Sequence, residues 1–152
     1  MSKFKVTPPI IHVPGFDLWC IDGSAMSYHL NKAKITTPMN LLDGQYYLTD
    51  IKGWGKILYD MVFNSSLYKK DKFDCENYAL KAMSVCAERY SLNTMGMVIG
   101  DTPLGRHGFN VICIYDNANV NLMLWEPNDG FEFSGSPFEI GEYGYQPDIA
   151  LI

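Results

Sequence analysis

An α+β domain is predicted, with one central helix laid on an antiparallel β-sheet, and three observations carry that reading. Apolar residues recur at helical steps at Ile51, Trp54, Ile57, Leu58, Met61 and Val62. A second helical stripe joins Cys75, Ala79, Ala82, Met83, Cys86 and Tyr90. Beyond Asn93 the period shortens to that of strands, in segments punctuated by glycine, asparagine and proline.

The elements follow in chain order. Residues 1–45 carry Pro8, Pro9, Pro14, Gly15, Gly23, Pro38 and Gly44, which predicts an extended wrapping segment in which only Ser24 to Lys34 forms a short helix. Residues 46–152 form the core. Thr49 or Asp50 supplies an N-cap for the first apolar stripe, which ends near Asn64. After the loop SSLYKKDKFD, Asp74 caps a helix from about Cys75 to Ser91. Strands are expected at Met95 to Ile99, His107 to Tyr115, Val120 to Trp125 and Ile149 to Ile152. At 152 residues with no internal repeat or linker, the chain reads as a single domain.

Bulk properties exclude several functions. A formal net charge of -5 repels phosphate backbones, so nucleic acid is not an expected partner. Lys69, Lys70 and Lys72 are too short a run to change that and read as a solvated loop. No apolar stretch is long enough to span a membrane, and the N-terminus lacks the apolar centre of a signal peptide, so a cytoplasmic protein is expected. Cys20, Cys75, Cys86 and Cys113 show no CxxC pair and no zinc spacing, and free thiols follow from the reducing compartment. His12 and His29 have no partner in the sequence and are assigned ordinary surface or core roles.

Three residues stand out chemically. Cys75 directly follows a strong N-cap, so its sulfur projects from the first turn of a helix, where unpaired N–H groups and the macrodipole favour a thiolate. His107 opens the strand HGFNVICIY. If DNAN forms the hairpin turn, Asp116 pairs with Asn119 and Tyr115 with Val120, which sets His107 opposite Asn128 with Glu126 diagonal on the same side. Diagonal neighbours lie about 7 to 8 Å apart, within reach of long side chains. Phe109, Val111, Cys113, Tyr115, Val120, Leu122 and Leu124 share that side, and the stripe of the Cys75 helix is expected to cover it.

Asp-Cys heading a helix, a glycine-bearing turn before His and Asn, the run Trp-Glu-Pro-Asn and a late Tyr-x-Pro resemble the papain-like protease domain at the C-terminus of certain mushroom agglutinins, with related small proteins in bacteria and phages. The resemblance covers approximately Tyr46 to Ile152. It implies a papain-like fold and a catalytic set of Cys75, His107 and Glu126, with a protein or peptide as substrate. Papain-like enzymes place an oxyanion-stabilising glutamine six or seven residues before the cysteine; here Tyr68 and Lys69 stand there, which leaves the Cys75 N–H and Tyr68 for that role. Asn110 and Asn128 are alternatives to Glu126 as the group orienting His107. The relatives bind calcium near the site, which implies Asp71, Asp74 and Glu76 as ligands if this chain does the same; otherwise no cofactor is expected.

These features support a cysteine-dependent hydrolase of amide bonds as the first expectation. The missing glutamine and the acidic flanks Asp74 and Glu76 support a second, a papain-like scaffold retained as a binding module. Acyl transfer of the transglutaminase type uses the same three residues and is the third.

Overall fold

The computed structural model describes residues 15–152. His12 lies outside the described residues. In chain order the elements are β1 (Trp19–Asp22), α1 (Gly23–Lys32), β2 (Gln45–Asp50), α2 (Ile51–Ile57), α3 (Cys75–Tyr90), β3 (Met95–Thr102), β4 (Gly105–Asp116), β5 (Asn119–Trp125) and β6 (Gln146–Leu151). The fold is mixed α+β, a sheet with helices packed against it.

Local chemistry accounts for the helix starts. Asp22 accepts a hydrogen bond from the Ala25 N–H at 2.8 Å, and Asp50 accepts one from Gly53 at 2.8 Å, each satisfying an orphan donor of a first turn. The stripe expected to run as one helix to Asn64 stops earlier: α2 ends at Ile57 and a 3-10 turn covers Leu58–Met61. At α3, the Asp74 N–H donates to the Asn77 side chain at 3.1 Å, and Ser91 closes the helix in the left-handed conformation.

The sheet order is β1-β2-β4-β3-β6, with β5 pairing β4. The β4–β5 register is the expected one, Asp116 with Asn119 and Tyr115 with Val120, through to Asn110 with Trp125. The turn residues Asn117 and Ala118 both have positive φ, as a tight hairpin demands. The sheet is not wholly antiparallel, because β2 pairs β4 in parallel at Thr49–Ile114 and Asp50–Tyr115. Strands β1 and β2 were not expected, since neither shows an alternation long enough to announce itself.

One expectation about packing is corrected. Phe109, Val111, Cys113 and Leu124 are buried against Met26 and Leu30 of α1 and Tyr46 and Leu48 of β2. The other face of the same strands, with Ile112, Ile114 and Trp125, is buried against Ala82, Cys86 and Tyr90 of α3 and Trp54 and Ile57 of α2. Helix α3 therefore covers the face opposite to the one assigned to it. The near-continuous apolar run of β4 is the physical reason: a strand buried on both sides does not reveal by alternation which helix takes which face. Trp54 and Trp125 are fully buried core residues.

Candidate functional site

The head of α3 meets the start of β4 at Gly108. A Cβ built there would lie 3.1 Å from both Cα and N of Glu76 and 3.4 Å from the Cys75 carbonyl carbon, so any side chain there would push the backbone of the first turn away from the strand. This approach brings the half-buried Cys75 thiol from one face round the end of the sheet to the His107 ring, which projects toward the other. The Cys75 sulfur also lies 3.1 Å from Glu76 Oε2.

His107 Nε2 lies 2.8 Å from Glu126 Oε2, and Glu126 is only 1% exposed. The same carboxylate accepts the Tyr145 hydroxyl at Oε2, 3.2 Å away, and the Asn128 backbone N–H at Oε1, also 3.2 Å. Burial alone pushes the His107 pKa down, but hydrogen bonds with Cys75 and Glu126 and their charges outweigh it, and the ring is raised from 6.5 to about 9. The Tyr145 phenol is raised, first by burial and then by the Glu126 charge. The Glu76 carboxyl is lowered, chiefly by the Cys75 hydrogen bond, while Asp74 is raised by desolvation and by sharing hydrogen bonding with Glu76.

Thus Cys75, His107 and Glu126 come together, and the other candidates separate from them. Asn110 is fully buried and spends its amide N–H groups on the carbonyls of Ala79, at 2.9 Å, and Gly96, at 3.0 Å, tying α3 to β3. The Asn128 side chain accepts from the Gly130 N–H at 2.9 Å. Tyr68 is half exposed and closes the 3-10 turn Ser65–Leu67. Asp74 Oδ2 accepts from the Asp71 N–H at 3.2 Å, and among the described residues no group of three or more His, Cys, Asp or Glu side chains is arranged to hold a metal.

Two residues of the site had little voice in the sequence. Gly108 stands in the strand HGFNVICIY with no side chain to mark it, and the late Tyr-x-Pro gives no sign of what the Tyr145 hydroxyl binds. Its aromatic surroundings are extensive: Phe131 stands 5.3 Å from the His107 ring, and a cavity of about 190 Å³ opens alongside, walled by Pro103, Leu104, Phe131, Phe133, Tyr143 and Tyr145. A larger cleft of about 780 Å³ lies around Trp19, Asp50 and Tyr115 and contains none of the candidate residues.

A thiol on a helix head, facing an imidazole backed by a buried acid and flanked by an apolar cavity, defines a ligand-accessible thiol–imidazole–carboxylate site on an α+β scaffold. A family model described as the ricin-type beta-trefoil lectin C-terminal domain matches residues 20–139, and the chain belongs to that family. Among solved structures, a chain titled "PSL1a-E64 complex" is 18% identical with a TM-score of 0.64, covering 88% of this chain and 50% of that one. A Polyporus squamosus lectin, bound to the human-type influenza-binding epitope Neu5Aca2-6Galb1-4GlcNAc, is 16% identical with a TM-score of 0.63, covering 88% of this chain and 49% of that one. The chain thus spans about half the length of these solved chains. No curated protein matches it.

These findings correct the expected identity. The family is a lectin C-terminal domain and the solved neighbours include a lectin, so assignment to a papain-like cysteine protease family is withdrawn, together with amide hydrolysis and transglutaminase-type acyl transfer. The physical reason is that the motifs specify placement: an Asp cap, a strand-end histidine and an acid past the facing strand bring three groups together. Convergence is needed by a binding site as much as by a reacting one. The expected protein or peptide substrate falls with the hydrolase reading. Among the described residues no helix is long and apolar enough to cross a membrane.

Proposed function

We propose that this chain is a ligand-binding module of the lectin class that retains a papain-like layout, and that its ligand is a glycan held at the head of α3. The observation that carries the reading is the aromatic cavity walled by Phe131, Phe133, Tyr143 and Tyr145, which adjoins His107 through Phe131, 5.3 Å away. A sugar presents apolar C–H faces, and aromatic rings such as Phe131 and Tyr143 suit them. Family membership and the glycan named for the Polyporus squamosus lectin support the ligand class.

Within this site Cys75 is a reactive thiol, His107 the group that takes its proton, and Glu126 the acid that orients the ring.

The test is an NMR titration of the isotopically labelled protein with Neu5Aca2-6Galb1-4GlcNAc and with its desialylated disaccharide. Amide shifts centred on His107, Phe131 and Tyr145, weakened in Phe131→Ala, are expected. If no resonance moves at millimolar sugar, or if the shifts map only to a remote surface, glycan recognition at this site is excluded.

A further inference from the structure

We infer that Tyr145 is a positioning residue for the Cys75–His107 pair, acting through Glu126. This rests on the reading of Cys75 as a reactive thiol at the binding site. The Tyr145 hydroxyl donates to Glu126 Oε2 at 3.2 Å, the same oxygen that holds His107 Nε2 at 2.8 Å, while Asn128 N–H fixes the second oxygen at 3.2 Å. Three donors on one carboxylate that is 1% exposed leave it no freedom to rotate. With Nε2 committed to Glu126, the ring turns Nδ1 outward, the nitrogen left for the sulfur.

Packing alone does not account for a tyrosine here. Its ring, 3% exposed, sits edge-on to Phe109 at 4.8 Å, Phe138 at 5.3 Å and Phe133 at 5.4 Å, a nest in which phenylalanine fills the same space with no polar group to desolvate. The hydroxyl is spent on the carboxylate that His107 Nε2 touches. The backbone on either side is pinned as well, with Tyr145 N–H donating to Glu142 O at 3.1 Å and Tyr145 O accepting from Gly141 N–H at 2.8 Å. The ring therefore delivers its oxygen to a set point.

The experiment compares wild type, Tyr145→Phe and His107→Ala by two measurements. Imidazole ¹⁵N shifts at pH 10 report the His107 tautomer in the first two proteins, and the rate of iodoacetamide labelling at Cys75 near pH 7 reports thiol reactivity in all three. Wild type should show a single tautomer protonated at Nε2; Tyr145→Phe should show a mixture and label Cys75 about 5- to 10-fold more slowly, with an unchanged circular dichroism spectrum. An unmixed Nε2–H tautomer in Tyr145→Phe overturns the inference. If His107→Ala leaves labelling unchanged, the reactive-thiol reading itself is refuted; if it slows labelling while Tyr145→Phe does not, the role of Tyr145 alone is.

Discussion

His107 and Glu126, nineteen residues apart, meet at 2.8 Å where β4 begins and the chain leaves β5. The pair is built by the hairpin register, which continues from Asp116–Asn119 to Asn110–Trp125 and delivers the next residue, Glu126, to the end of the sheet. Its acid is out of water, and its base is only 14% exposed at the side chain, so the pair influences stability as well as chemistry.

The first prediction concerns pH. The His107 pKa is raised from 6.5 unfolded to about 9 folded, so the folded state binds the proton more tightly. Its contribution is fully present below about pH 6.5 and is lost as pH rises through about 9, with an upper magnitude of roughly 3 kcal/mol. Urea midpoints measured from pH 6 to pH 10 should fall across that window. His107→Ala should flatten the dependence and lower stability at pH 6 by about 3 kcal/mol, because the Glu126 charge stays buried with one partner fewer.

Gly108 sets the distance between α3 and β4. Gly108→Val places carbon against the Glu76 backbone, where even a single Cβ already sits 3.1 Å from two backbone atoms. The helix head must move outward, at a cost of about 1 to 3 kcal/mol. Denaturant melts check the cost. Labelling of Cys75, slowed to the rate of an exposed thiol, checks the geometry.

The four free cysteines divide by environment. Cys20 is exposed and Cys75 half-buried, while Cys86 and Cys113 are buried with thiols pushed up by desolvation, Cys113 to about 12. Iodoacetamide on the native protein should modify Cys75 first and Cys20 second, leaving Cys86 and Cys113 to react only after unfolding. Peptide mapping by mass spectrometry reads the order, and labelling of Cys20 ahead of Cys75 would contradict the proposed site.

Asn110 holds the scaffold beneath the site. Its amide reaches carbonyls on both α3 and β3, so Asn110→Ala leaves two buried acceptors without their donor and opens a polar gap between the layers. The expected loss is about 2 kcal/mol of unfolding free energy by chemical denaturation. A loss of sugar binding larger than the stability loss explains would instead indicate a direct part in recognition.

Much of the local structure was legible before any coordinates. Asp74 announced the start of α3 and Asp50 that of α2, because a short acceptor before an apolar stripe answers the unpaired N–H groups of a first turn. Asn117 in the β4–β5 turn fixed the hairpin register, and with it the meeting of His107 and Glu126. The agreement ends where chain segments distant in sequence choose each other. The parallel seating of β2 on β4 depends on Thr49 finding Ile114, and no periodicity records that choice.

What the sequence determined by itself, then, was the α+β character, the head of α3 and the side of the hairpin on which His107 and Glu126 lie, all consequences of backbone geometry acting over a few residues. Only the tertiary structure decided that α3 covers the Ile112 and Trp125 face, that Gly108 admits its first turn, and that the Tyr145 hydroxyl completes the hydrogen bonding of Glu126. Those outcomes follow from packing two apolar faces at once and from satisfying a buried charge, and both are properties of the assembled core.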